Sequence, residues 1–460
     1  MALVAVIVAY LVFASLFALK VPKWNAPDEP AHFNYIRHLA ATGTFPVLQP
    51  GDYNQEYLEK LKPAQFPDSL PIDTIRYESH QPPLYYVLGA AVYRLTEGAS
   101  LSRQVLALRG LSILFGALFI LAIYALSRET VLGQPLVALG AAAFAAGVPM
   151  QLAMSAAVEN DSLSELVLTV VLLVLVSGLR SGFGPGRSIT LGVLLGLALL
   201  TKVTIYSALL LAPVALWVRW RQGGAGGAGG QRRGDRPVAP TGSRGAAVLA
   251  YAEARAVAAL VRQLAVVYGV ALLVSGWWFV RNALTYGWLD PLAQARHAAV
   301  VVGQPRTVYN WAALEYLATT TFQSFWAQFG WMGVLVDRRL YQALLVFSVI
   351  VAIGLALWLY RAARGRAGLD RESGRALWLL ALCFAVTVGE FLYYNLTFVQ
   401  AQGRYLFPAL GPIGIFSLLG LLALAPRRLH VPVVVGLYGA LLALDYVCLF
   451  RFVAPYFGTA

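Results

Sequence analysis

Apolar stretches of about 20 residues, nearly free of charge, recur from one end of this chain to the other, and that is the length a helix needs to cross the ~30 Å hydrocarbon core of a bilayer. Eleven spans are read, near residues 2–19, 105–127, 134–153, 162–179, 189–201, 203–218, 263–280, 340–360, 376–394, 405–425 and 431–450. The fifth and sixth are short. Composition agrees, because 59% of the residues are hydrophobic and 12% charged, whereas a soluble domain carries roughly a quarter charged residues. The expected fold class is an all-α polytopic membrane protein; fibrous, collagenous and disordered classes are excluded. Met1–Leu19 lacks a charged leader and a clear cleavage site, so it reads as a retained anchor. Cys383 and Cys448 fall in apolar stretches with no partner spacing, and no disulfide is expected.

The net charge of +13 would suggest nucleic acid in a soluble protein. Here its distribution gives a different reason. With the N-terminus inside, 18 basic and five acidic residues fall on the cytoplasmic face, and the remaining charges balance. Retention of lysine and arginine inside explains the whole excess, and no nucleic-acid partner is needed. The expected organisation is a first span (1–19), an extracytoplasmic loop with interfacial helices (20–104), a transmembrane core (105–218), a flexible basic cytoplasmic loop (219–262), a span (263–282), an aromatic extracytoplasmic loop (283–339) and C-terminal spans (340–460). Leu84–Leu95 is apolar but reaches only about 18 Å as a helix, so it is laid in the interface. Were it to cross, the loop before it would move to the other face, away from the remaining site residues. The glycine run holds a formal GxGxxG at Gly224, Gly226 and Gly229, which lacks the preceding strand and is rejected as a dinucleotide site. No GxxxxGK[ST] is present, which argues against an ATP-driven transporter.

Long loops carry function disproportionately, and most outer polar residues gather between Lys20 and Pro83. In Ala26-Pro27-Asp28-Glu29-Pro30-Ala31-His32, Asp28 can cap a surface helix that Gly43 stops, with His32 one turn on. The plain reading of Asp28 is a cap; the functional one is a carboxylate kept ionised at the positive end of the helix dipole. A second cluster, Glu159, Asn160 and Asp161, ends the third span, and Glu165 follows inside the fourth. An ionisable group costs roughly 2.5–3.5 kcal/mol at mid-membrane, so Glu165 is expected to border a polar cavity. Three cations, Arg404, Lys202 and Arg281, are expected at one depth as an anion site; snorkelling to headgroups is the plain alternative, and it suffices for Arg281. His80, before Pro82-Pro83, could ligate metal, touch phosphate, or simply be solvated. Tyr85, Tyr86, Trp311, Trp326 and Trp331 read as an interfacial aromatic belt, with sugar stacking the sharper alternative.

Outer carboxylates beside membrane-depth cations suit an anionic lipid whose headgroup reacts, namely a polyprenyl phosphate carrying a sugar. PDEPAHFNYIRHLAATGTFP from Pro27, HQPPLYYVLGA from His80, VEND at Val158, LLTK ending at Lys202 and QGRYLFP from Gln402 together resemble the GT-C superfamily of membrane glycosyltransferases. The order of these motifs and the Ser324–Trp331 run are similar to poorly characterised bacterial proteins related to protein mannosyltransferases and the lipid A aminoarabinose transferase. The resemblance implies Asp28 as catalytic base with Glu29 beside it, the Glu159–Asp161 cluster in the site, and an inverting transfer to an envelope glycan, lipid or protein. Relatives often place a lysine before the Pro-Pro pair; His80-Gln81 stands there, which shifts phosphate binding toward Lys202 and Arg404. Some members bind a divalent metal; Asp28, His80, Glu159 and Asp161 would be its ligands and magnesium or manganese its identity. With no large domain after the last span, acceptor selection is expected from loops 20–83 and 283–339. The bacterial plasma membrane is the expected location, with the site outside. Competing classes are a transporter or flippase, for which Glu390 and Asp445 inside spans would speak, and a non-catalytic lipid-binding partner.

Overall fold

The computed structural model describes residues 1–226, 243–304, 306–308 and 310–459. Helices dominate: α1 (Ala2–Lys20), α2 (Glu29–Thr42), α3 (Gln55–Leu61), α4 (Leu84–Leu95), α5 (Leu101–Thr130), α6 (Pro135–Ala146), α7 (Pro149–Ser155), α8 (Asp161–Ser181) and α9 (Pro185–Leu199). They continue with α10 (Ala208–Gly226), α11 (Ser243–Tyr286), α12 (Gln294–Val300), α13 (Trp311–Trp326), α14 (Arg338–Ala363), α15 (Arg371–Asn395), α16 (Leu410–Leu424), α17 (His430–Val447) and α18 (Ala454–Tyr456). A two-stranded antiparallel turn, β1 (Gln328–Phe329) with β2 (Val334–Leu335), pairs Phe329 with Val334.

Among the described residues nine helices are long and apolar enough to span a membrane, and a tenth span is formed if α6 and α7 count together. The span expected at 189–201 falls on α9, which is apolar but shorter than these. The expected single span at 134–153 is bent by 65° between α6 and α7. Pro149 at the start of α7 has no N–H to donate, and Gly147 lies so close to α17 that a Cβ there would meet Leu441 Cβ at 2.8 Å. Large apolar side chains such as Leu272, Leu273, Val346 and Ile353 are exposed on α11 and α14, as a lipid-facing perimeter requires.

The inner helices approach closely where small residues allow it. Gly192 and Gly196 of α9 lie one turn apart against α11, where Cβ atoms would meet Val267 O at 2.6 Å and Val274 Cβ at 2.6 Å. The basic loop expected over 219–262 is shorter than read: helix continues through Gly226 and resumes at Ser243, while 227–242, with Gly229, lies outside the described residues. On that side, Arg180 at the end of α8 donates to the Glu129 carbonyl and pairs with Glu372 in the first turn of α15.

On the opposite side, α2 and α4 lie against one another, Gly89 tucked under Ile36. The short helix α4 therefore belongs to the loop that precedes α5. A crossing by Leu84–Leu95 would separate Asp28 from Arg404, whereas the two side chains are in contact at 2.6 Å.

Candidate active site

Four connections on one face of the bundle meet: the segment before α2, the α7–α8 turn, the α9–α10 turn and the turn into α16. Together they deliver five charged groups. Asp28 comes from the first, Glu159 and Asp161 from the second, Lys202 from the third and Arg404 from the fourth. Arg404 Nη2 donates to Asp28 Oδ2 at 2.6 Å and Nη1 to Glu159 Oε2 at 3.1 Å. Lys202 Nζ lies 3.2 Å from Glu159 Oε1 and donates to Asp161 Oδ1. His32 of α2 closes the ring, its Nε2 3.3 Å from Glu159 Oε1 and its Nδ1 2.8 Å from the Tyr86 hydroxyl of α4.

Burial makes these pairings matter. Glu159 is 1% exposed, and although burial alone would raise its pKa, Lys202, His32 and Arg404 hold it well below the usual carboxylate range. Burial would lower Lys202; Asp161 and Glu159 hold it above the usual lysine range. His32 is likewise opposed by burial and carried upward by Glu159.

Asp28 occupies the position before α2, yet its side chain caps nothing. Its backbone has φ +64°, a left-handed conformation costly for a non-glycine residue, which turns the carboxylate away from the helix. Oδ1 accepts from the Tyr77 hydroxyl at 2.7 Å and Oδ2 from Arg404, leaving each oxygen a free lone pair. The side chain is 24% exposed, the most open of the pairs with Arg404.

Glu29 does not share that site. Its carboxylate is fully buried and takes a bidentate pair from Arg109 of α5, at 2.8 and 2.7 Å, plus the backbone N–H groups of Trp24 and Val158. Arg109 also donates to the carbonyls of Ala18, Val21 and Pro22. The expected catalytic role for Glu29 is corrected on this ground: every acceptor position is spent in tying the end of α1, α5 and the α7–α8 turn together. Asn160 is buried and donates weakly to the Thr201 carbonyl, a tie between two turns. Glu165 is corrected too; it accepts from Gln151 at 2.6 Å in the helix core and borders neither cavity.

Two cavities meet at Asp28 and Arg404. One, about 290 Å³, runs outward between Tyr53, Glu59, Tyr316 and Trp331. The other, about 390 Å³, runs past Glu159, Lys202 and His80 to Thr387, Glu390 and Phe391 inside the apolar helix α15. Arg404 Nε is buried with no hydrogen-bond partner among the described residues, a donor left for a ligand.

Of the other expected cations, Arg281 lines neither cavity. It donates to the carbonyls of Phe45 and Pro46 and stacks on Trp278, pinning the first loop to α11. His80 borders the second cavity, but burial, with His32 nearby, pushes it down to about 4, so it offers an uncharged imidazole and no cation. A metal held by Asp28, His80, Glu159 and Asp161 does not fit this arrangement, since Arg404 and Lys202 lie between the three carboxylates; among the described residues no three His, Cys, Asp or Glu side chains converge as a ligand set. Tyr77, Arg109, Glu78 and His297 are the residues sequence reading missed. Only the loop's polarity pointed to the first and third, and nothing local marks the others.

Gly403 holds Arg404 in place. A Cβ there would meet the backbone of α13 at Thr321 O (2.3 Å) and Phe325 N (2.4 Å), and its own N–H donates to Ser324 Oγ at 2.7 Å.

The same architecture is found in solved structures. ArnT from Cupriavidus metallidurans in the apo state aligns over 94% of this chain and 62% of its own, with 16% identity and a TM-score of 0.52. The chain has the GT-C fold. The oligosaccharyltransferase of Archaeoglobus fulgidus in complex with zinc and sulfate aligns over 98% of this chain, at 14% identity and TM-score 0.48, and the chain spans 53% of its length. A structure of ArnT bound to undecaprenyl phosphate aligns over 99% of this chain and 74% of its own, at 15% identity and TM-score 0.49. Residues 80–224 match the family model of dolichyl-phosphate-mannose-protein mannosyltransferases. That stretch of the GT-C fold carries His80, the Glu159–Asp161 cluster and Lys202, but neither Asp28 nor Arg404. Comparison with curated proteins finds no match.

Proposed function

We propose that this chain is an inverting glycosyltransferase that moves a hexose or pentose from a polyprenyl phosphate to the hydroxyl of an envelope glycan, lipid or protein, on the outer face of a bacterial plasma membrane. The observation that carries this reading is the position of Asp28 and Arg404 where a cavity reaching into the apolar helices meets one that opens outward. A lipid-borne donor and a water-borne nucleophile need such a junction. The matched family description names a donor of the same chemical class.

In this account the inner cavity holds the donor, its phosphate against Arg404 Nε and Lys202. The acceptor hydroxyl enters by the outer cavity and gives its proton to Asp28 as its oxygen attacks the anomeric carbon. The bond from that carbon to the phosphate oxygen breaks, its electron pair leaves with the phosphate, and Arg404 and Lys202 stabilise the charge gathering there. Attack from the side opposite the phosphate inverts the centre. The two cavities meet at connections on one face, which suits transfer at that face better than carriage between two.

An Asp28→Asn variant should keep its fold and lipid binding and lose transfer by about 10²–10⁴-fold. The measurement is release of polyprenyl phosphate from a sugar-charged lipid in the presence of envelope extract. Full activity in the variant would remove Asp28 as the base.

A further inference from the structure

The two cavities share six lining residues: Asp28, Glu78, His297, Tyr394, Arg404 and Tyr405. A group passing from a donor in one cavity to an acceptor in the other is in contact with these six. Asp28 and Arg404 have chemical tasks already. Glu78 and His297 do not, and they come from different loops that converge only in the folded chain.

Glu78 lies in the one-turn helix Tyr77–His80, whose first residue holds Asp28, so its carboxylate is fixed relative to the base. Its Oε2 is buried with no hydrogen-bond partner among the described residues. Glu78 lines both cavities, and a buried unpaired acceptor is costly unless a ligand meets it. His297 projects from α12 in the second long loop, its ring 4.4 Å from that of His80. Burial and the adjacent His80 keep His297 at about 4, so the imidazole is neutral and can both donate and accept. This wall therefore offers one carboxylate acceptor and neutral imidazole, while the Nη groups of Arg404 pair with Asp28 and Glu159 and, in the reading above, its Nε and Lys202 face the donor phosphate.

We propose that Glu78 and His297 select the sugar that is transferred, accepting a neutral, hydroxyl-rich sugar and turning away a uronic acid. This rests on the transferase reading above. Ring hydroxyls donate to Glu78 and exchange hydrogen bonds with His297, whereas the carboxylate of a uronic acid would face Glu78 and Asp28 without a cation of its own. Repulsive exclusion of this type discriminates where attraction alone would not.

The test is displacement of a fluorescent polyprenyl phosphate from the purified full chain by short-chain polyprenyl phosphates carrying mannose, glucose, galactose, glucuronic acid or no sugar. In the wild type at least one neutral hexose lipid should bind about tenfold tighter than the glucuronic acid lipid. Glu78→Gln should narrow that ratio by raising affinity for the glucuronic acid lipid, a gain that misfolding cannot produce. His297→Ala should bring the preferred hexose lipid to the affinity of the sugarless one. An unchanged ratio in Glu78→Gln, or a wild type that prefers the uronic acid, overturns the assignment. Failure of the sugarless lipid to displace the probe would instead count against the transferase reading itself, so the two failures are separable.

Discussion

Asp28 shows what a single residue's chemistry reveals and what it conceals. A helix start was legible at this position, because Pro30 and the following apolar spacing announce one, and α2 begins at Glu29 as expected. The cap reading of Asp28 fails on geometry: φ +64° and a carboxylate spent on Tyr77 and Arg404 leave no bond to the helix N–H groups. Neither partner could be inferred locally, since they lie 49 and 376 residues away. Glu29 misled for the opposite reason. It shares a motif with Asp28 yet turns inward to Arg109, 80 residues along the chain in α5. Arg109→Met should strand a buried carboxylate and cost about 3–5 kcal/mol of stability, seen as a large fall in melting temperature in detergent. A melting temperature within a degree or so of wild type would show that the pair is dispensable.

At the scale of elements, the spans were legible because bilayer thickness dictates their length, and the positions of the breaks were less so. The bend between α6 and α7 brings Gln151 and the Glu159 turn inward, and it needs both Pro149 and the approach of α17 at Gly147, of which only the proline is visible in sequence. Helix α12 was invisible, since seven residues within an aromatic loop give no periodic signal, yet it supplies His297 to both cavities. Gly403 stands beside Arg404 in the QGRYLFP stretch, but nothing local in the sequence marks its contact with α13. Gly403→Ala should push the Gly403–Ala409 turn off α13 and displace the guanidinium of Arg404. The predicted result is a protein that still inserts and binds detergent-solubilised lipid, with transfer down by about 10²-fold, since a misplacement near 1 Å suffices for that loss. Wild-type turnover in this variant would mean the turn tolerates separation without moving the guanidinium.

For the whole molecule, charge counting placed Asp28, Glu159, Lys202 and Arg404 on one face, and the ion-pair network joins those same residues. What counting could not give was their mutual distances, or that Arg281 belongs to a staple instead. The account places this face outside the cell. In an otherwise cysteine-free background, Thr74→Cys should react with a membrane-impermeant thiol reagent on intact cells, and Ser181→Cys, exposed on the opposite face, only after lysis. The reverse pattern would invert the topology. The junction of the two cavities can be tested most directly through the lipid proposed to bind there. Mass spectrometry of lipids co-purified with the wild type should find a polyprenyl phosphate, with or without its sugar, and should find it depleted from Arg404→Ala; bulk phospholipid alone in both preparations would contradict a donor site at Arg404.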